Sequence, residues 1–253
     1  CAYMCDKYQI PRINIIGVTL PSENTSSETY QNALLLMDKL KVTALEIPIN
    51  EDVNRQMDLI KHSQKKDRTY ENIQARFRTY TLMNLANLHN AIVIGTSDMS
   101  EIALGWSTFN GDQSAMYGIN SGITKTVVRA LVNYLKSIYP ELEKVLNNIL
   151  KTPITPELTG ENQLTEQIIG KYEINDFILY RFLYNGDSGN RIIILLKKFF
   201  KLNSKDAEEY VNNFFQRFYS QQYKRLTMPE GVKLLKIGLS PRGELRLNGD
   251  IYK

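Results

Sequence analysis

Asp98 and Glu101 stand three residues apart, directly after the apolar run Ala91-Ile92-Val93-Ile94-Gly95-Thr96. At the start of a helix that spacing forms a capping box, in which each carboxylate satisfies backbone N–H groups that lack partners inside the helix. Either the pair only caps, or Glu101 coordinates Mg²⁺ or holds a substrate while Thr96 and Ser97 contact a nucleotide. Asn72 and Arg76 are four apart, so both project from one helix face; they are a solvent-facing pair or two walls of a site. Lys125 falls near a helix start, where the dipole disfavours a cation unless an anion compensates it, and this favours a phosphate partner. His62 and His89 have no cysteine or carboxylate at metal-ligand spacing and read as ordinary surface or core histidines. Cys1 and Cys5 have no partnered histidine to make either a nucleophile. Neither Gly-x-Gly-x-x-Gly nor a Walker A pattern occurs. These residues alone indicate an anionic ligand near 91–95 and no particular reaction.

The elements that must position them alternate in type. Residues 12–19 form a β-branched run after Pro11, 27–41 keep helical spacing of apolar residues behind the Thr25-Ser26-Ser27 cluster, and 43–48 read as a second strand. Strand, helix and strand in that order make a parallel, right-handed unit, and the architecture is α/β. A polar helix at 51–63 and a charged turn precede a long helix at 69–89, whose stripe of Ile73, Phe77, Tyr80, Leu85 and Leu88 is expected to face the core. Residues 91–96 are the clearest strand of the chain, and open parallel sheets bind ligands just beyond the carboxyl ends of their strands. The Gly- and Asn-rich stretch 110–122 reads as a loop. Helices are expected at 123–137, 139–150, 173–184, 190–201 and 205–224, with a break at 151–156 and an irregular tail. No internal repeat or low-complexity linker divides the chain, which reads as one domain over 1–253 with 159–253 as its helical C-terminal part.

The 253 residues are 43% hydrophobic and 23% charged, with 31 Lys and Arg against 27 Asp and Glu. Such a chain can bury a sizeable core. No apolar run approaches the roughly 20 residues of a membrane span, and the dispersed basic excess argues for neither a nucleic-acid nor a membrane partner. Two cysteines one helical turn apart are no disulfide framework, so a reducing cytoplasm is the expected setting. The opening Cys-Ala-Tyr-Met-Cys reads as the end of a helix already under way, with a segment expected upstream.

The segments Glu71-Asn72-Ile73-Gln74-Ala75-Arg76-Phe77-Arg78 and 94–108, which runs Ile-Gly-Thr-Ser-Asp-Met-Ser-Glu-Ile-Ala-Leu-Gly-Trp-Ser-Thr, closely resemble the NAD⁺ synthetases, with the family's spacing from Asn72 to Thr96. Further matches are Gly17-Val18-Thr19-Leu20-Pro21-Ser22, the loop from Gly111 to Thr126, Thr155-Pro156-Glu157-Leu158 and Gln222-Tyr223-Lys224-Arg225. The tail Leu239-Ser240-Pro241-Arg242-Gly243 resembles the long, glutamine-dependent branch.

This resemblance implies a Rossmann-like ATP-pyrophosphatase fold, a parallel sheet flanked by helices, and ATP-dependent amidation of nicotinic acid adenine dinucleotide (deamido-NAD⁺). It implies that the nicotinate carboxylate attacks the α-phosphate of ATP, and that ammonia then attacks the acyl-adenylate. ATP and Mg²⁺ are the implied cofactors. By position, Leu20, Thr96 and Thr155 match ATP-binding residues, and Lys125 matches a lysine on the phosphates. Glu101 matches an acidic position assigned to Mg²⁺ in short members and to the dinucleotide in long ones, and Thr155 is the second implied Mg²⁺ position. Asn72, Arg76, Trp106, Ser107, Thr108, Phe109 and Lys224 match residues that contact deamido-NAD⁺. A homo-oligomer is also implied.

Two departures carry information. Short members have a lysine where this chain has Phe109 and a Gly-Asp-Gly-Gly loop where it has Gly111-Asp112-Gln113-Ser114, which fits the branch whose upstream glutaminase domain supplies ammonia. The family's Ser-Gly-Gly-x-Asp-Ser loop, which cradles pyrophosphate, is not among these 253 residues. A polypeptide of these residues alone is therefore expected to be inactive. A non-catalytic nucleotide-binding or assembly module derived from the family is the alternative, and a GMP synthetase is disfavoured by the Glu-Asn-x-x-Ala-Arg helix.

Overall fold

A computed structural model of the chain describes residues 1–23, 25–63, 66–152 and 165–251. In chain order its elements are α1 (Ala2–Lys7), β1 (Ile16–Thr19), α2 (Ser27–Leu40), β2 (Thr43–Glu46), α3 (Asn50–Leu59), α4 (Arg68–Leu88), β3 (Ile94–Gly95) and α5 (Met99–Leu104). There follow β4 (Tyr117–Gly118), α6 (Lys125–Ile138), α7 (Glu143–Lys151), α8 (Thr165–Ile169), α9 (Tyr172–Asn185), α10 (Gly189–Phe199), α11 (Ser204–Ser220) and α12 (Gln222–Arg225). The chain divides into two compact units, Cys1–Arg78 with Ala130–Asn162, and Thr79–Arg129 with Gln163–Lys253.

In the first unit β1 and β2 are parallel, in register from Ile16 opposite Thr43 to Thr19 opposite Glu46. The helix between them starts where the serine cluster indicates: the Ser26 hydroxyl accepts the Thr29 N–H at 3.1 Å. A core forms where Leu142, Val145 and Leu146 pack against Leu35, Leu36 and Leu40 of α2 and Val132 and Leu135 of α6. Arg78, on α4, donates to the Leu20 carbonyl at 3.1 Å and the Ser22 hydroxyl at 3.2 Å, pinning the segment that follows β1.

The second unit is built around aromatic helices. Phe214 and Phe218 of α11 are buried with Ile178 and Leu179 of α9 and Ile192 and Leu196 of α10. Phe182 meets Phe215 and Phe218 edge-on, with centroids 5.0 and 5.5 Å apart, a geometry that aromatic quadrupoles favour. Here β3 pairs in parallel with β4, and a single bridge joins Gly118 to Gly231.

Four expectations need correction. The strand over 91–96 shrinks to Ile94–Gly95, because an apolar run becomes a ladder only where a partner strand faces it, and Tyr117–Gly118 supplies two residues; Ile92 is 63% exposed. That partner lies inside the stretch read as loop. In the α4 stripe Ile73 is buried, Phe77 and Leu85 are half-buried, and Tyr80 and Leu88 are exposed. The short helix α8 follows the expected break, most of which lies outside the described residues.

Candidate active site

Just past β3 the chain turns into α5, and both carboxylates cap it. Asp98 Oδ1 accepts the N–H groups of Ser100 and Glu101 at 3.0 and 3.1 Å, and Glu101 Oε2 accepts the N–H of Asp98 at 3.2 Å. Each has one oxygen left, and both of these point at the same cation. Lys125 Nζ lies 2.7 Å from Asp98 Oδ2 and 2.7 Å from Glu101 Oε1. Capping and ion pairing therefore coexist on the same two side chains.

The electrostatics follow from burial. Asp98 is almost fully buried, and desolvation, reinforced by the charge of Glu101, raises its pKa to about 7 against the pull of Lys125. Burial alone would weaken the Lys125 ammonium, but Asp98 and Glu101 together outweigh it and hold its pKa above the ordinary lysine value. Lys125 is the first residue of α6. The anion that offsets its unfavourable place at a helix start is thus present in the chain itself, a correction to the argument that its position favours a phosphate.

Around this cluster two residues appear that local spacing did not reveal. Asp176 accepts from the Ser100 hydroxyl, and from the N–H and hydroxyl of Thr126 at 3.0 and 2.7 Å. The Tyr172 ring lies 5.5 Å from Lys125 Nζ. The Tyr172 hydroxyl is buried with no hydrogen-bond partner among the described residues, and burial, with Glu101 and Asp98 nearby, pushes its pKa far up. The signal available in the sequence was an aspartate one turn past a tyrosine, Tyr172 to Asp176, on a helix whose buried residues also include Ile174, Asn175, Ile178 and Leu179.

The C-terminus of α5 leads into a loop that α12 holds. Gly105 ends α5 at φ +58°, and a Cβ there would meet Gln221 Cβ at 2.2 Å, so glycine is required twice over. Lys224 Nζ donates to the carbonyls of Gly105 and Ser107, each at 2.7 Å. Ser107 Oγ donates to Gln113 Oε1 at 3.2 Å, Gln113 Nε2 donates to Thr227 Oγ1 at 2.8 Å, and the rings of Phe109 and Tyr223 lie 5.5 Å apart. The Arg217 guanidinium sits 5.3 Å from the Trp106 ring, and Thr108 N–H donates to Asp112 at 2.7 Å. Buried Arg225 donates to the carbonyls of Ile102, Ala103 and Phe218, locking α12 to α5 and α11. A narrow cavity of about 20 Å³ lies among Gly95, Ser97, Ser107, Gln113 and Lys224.

The second unit thus holds Lys125 against Glu101 and Lys224 against the backbone of Gly105 and Ser107, and it also contains Thr96, which is exposed and whose carbonyl accepts from Asn120 Nδ2 at 3.2 Å. Lys224 meets the loop of its own chain. In the first unit Leu20 is buried, Asn72 half-buried and Arg76 exposed. Thr155 lies outside the described residues.

A family model for NAD synthase matches residues 1–228. The chain belongs to the NAD synthase family. A glutamine-dependent NAD(+) synthetase of Mycobacterium leprae is 36% identical over 280 aligned positions, which cover 97% of this chain and 41% of that protein. The chain therefore spans about two fifths of the length of the curated NAD synthases it matches first. Among solved structures, a glutamine-dependent NAD(+) synthetase from Cytophaga hutchinsonii superposes with a TM-score of 0.75 at 19% identity, covering 92% of this chain and 38% of that one. An NMN synthetase from Francisella tularensis gives 0.66 at 25% identity, covering 87% and 79%. The α/β fold with parallel strands is that of NAD synthases, the Rossmann-like ATP-pyrophosphatase architecture.

Proposed function

We propose that this chain is the greater part of the synthetase domain of a glutamine-dependent NAD⁺ synthetase, a carbon–nitrogen ligase that converts deamido-NAD⁺ to NAD⁺ at the expense of ATP. The observation that carries this reading is Lys125 held by Asp98 and Glu101 at the start of α5, the helix that runs into a loop held by Lys224, in a chain of this family.

The chemistry suits these residue types. A carboxylate is a poor electrophile until it acquires a leaving group. Its oxygen attacks the α-phosphorus of ATP, the bond to pyrophosphate breaks, and ammonia then attacks the carbonyl carbon and expels AMP. Charge that develops on the phosphates calls for a fixed cation in a partly dry site. Lys125 fills that role, its side chain 17% exposed and its position set from two sides. Leu20, Thr96 and Thr155 are assigned to ATP. Asn72, Arg76, Glu101, Trp106, Ser107, Thr108, Phe109 and Lys224 are assigned to deamido-NAD⁺, Lys224 by shaping the 105–107 backbone that meets it.

The reading requires ATP and Mg²⁺. The described residues do not fit a resident ion at Glu101: all four oxygens of Asp98 and Glu101 are taken by Lys125 and backbone N–H groups. Nor, among those residues, does any group of three His, Cys, Asp or Glu side chains have an arrangement that could hold a metal ion. Glu101 is accordingly read on its dinucleotide side, and no step is routed through the metal. Ammonia from a glutaminase domain elsewhere in the full-length protein, self-association and a cytoplasmic setting complete the proposal. No helix among the described residues is long and apolar enough to cross a membrane.

The test is product analysis with the full-length protein, given deamido-NAD⁺, ATP, Mg²⁺ and glutamine. NAD⁺ and AMP in equal amounts are expected. Nucleotide binding without amide formation would instead support the non-catalytic module. Preference for the mononucleotide would move the substrate assignment towards that of the Francisella tularensis relative.

A further inference from the structure

Asp176 is a carboxylate only 7% exposed, on the first turns of α9. Buried carboxylates persist only where their oxygens are satisfied, and here both are, from two different helices. Oδ1 accepts the hydroxyl of Ser100 in α5, and Oδ2 accepts both the N–H and the hydroxyl of Thr126 in α6. Ser100 Oγ, whose O–H donates to Asp176, accepts the N–H of Lys125 at 2.8 Å. The first N–H groups of a helix have no partner within it. In α6 those of Lys125 and Thr126 are both met from outside, one through Ser100 and the other directly by Asp176.

The backbone of Lys125 is therefore fixed independently of its ammonium. Ser100 lies between Asp98 and Glu101 in sequence, so the bond that holds the start of α6 also holds the turn that carries the two carboxylates paired with Lys125. Tyr172, four residues before Asp176 and on the same helical face, adds its ring beside the ammonium.

We propose that Asp176, acting through Ser100, is a positioning residue for Lys125, setting the place of its ammonium on the phosphates of ATP. The inference rests on the reading of Lys125 given above. A contact of this kind sets geometry, and a misplacement of the order of 1 Å at a reacting centre lowers rates by about a hundredfold.

The experiment is a double-mutant cycle in the full-length protein with Asp176→Asn, Lys125→Ala and the pair, read as kcat/KM for ATP and, by calorimetry, as ATP affinity. Affinity keeps the cycle readable where turnover is lost. The expected result is a loss of about tenfold or more for Asp176→Asn in the wild-type background and less than about twofold once Lys125 is gone, because contacting sites that act as a unit are not additive. Equal losses in both backgrounds would mean a merely structural tie and would overturn the proposal, as would no loss in either. Wild-type kcat/KM and affinity in Lys125→Ala itself would instead bring down the functional reading on which the proposal stands. Ser100→Ala breaks the same relay at its middle and takes the place of Asp176→Asn in the cycle if that variant does not fold.

Discussion

Lys125 opens α6 at the positive end of a helix dipole, a placement that costs about 0.3–1 kcal/mol for an uncompensated cation. Asp98 and Glu101 at 2.7 Å remove that cost, while burial, with the charge of Glu101 beside it, acts on Asp98 in the opposite sense to Lys125. The folded pKa of Asp98, about 7, stands above the ordinary 3.8, so the folded state holds this proton more tightly than the unfolded chain does. The stability it contributes is complete below about pH 4 and is lost as the pH rises through about 7. Asp98→Asn keeps a good N-cap residue and removes the titration. Denaturant unfolding of the wild type and this variant from about pH 4.5 to 8 should therefore give a difference that shifts in favour of the variant as the pH rises; a difference independent of pH would contradict the assignment. The Asp98 and Glu101 cap was legible because its partners are three residues apart. Asp176 was not legible in that way, because its partners Thr126 and Ser100 lie 50 and 76 positions away and only the fold brings them near.

The longer helices and the β1–α2–β2 unit were legible because periodicity and caps are local properties. Ladder length is not local: 91–96 has the composition of a strand, yet only Ile94 and Gly95 find partners, in a stretch whose glycines and asparagines read as loop. The exposed Tyr80 and Leu88 make the same point for α4, where apolar spacing alone did not determine burial. Two substitutions test how α5 and α12 are joined. Gly105→Ala would force a Cβ onto Gln221 at a left-handed position, where the backbone conformation alone costs roughly 1–2 kcal/mol. Thermal unfolding should show at least that loss, and the affinity for deamido-NAD⁺ should fall with it as the Lys224 acceptors move. Arg225→Ala would strip donors from the carbonyls of Ile102, Ala103 and Phe218. The Ile102 carbonyl keeps the Gly105 N–H; at about 1–3 kcal/mol for each buried group that loses its partner, the substitution should destabilise by a few kcal/mol in denaturant titration, whereas wild-type stability would show that α12 is not anchored this way.

The family was legible across the whole chain because its motifs occur in order, and the family model covers residues 1–228. Which residues meet in space was less so: Lys125, Asp98, Glu101 and Asp176 form one cluster in the second unit, while Asn72 and Arg76 belong to the first. The 253-residue polypeptide on its own, which contains no Ser-Gly-Gly-x-Asp-Ser segment, is expected to form no NAD⁺ when assayed with deamido-NAD⁺, ATP, Mg²⁺ and ammonium; sustained turnover would remove the need for that loop. The central claim is that Lys125 serves the phosphates during amidation, and the most direct measurement is kcat for NAD⁺ formation by the full-length protein carrying Lys125→Ala. A loss of about a hundred- to a thousandfold, with circular dichroism unchanged, is the predicted result for removal of a fixed charge stabiliser. A wild-type rate would contradict it.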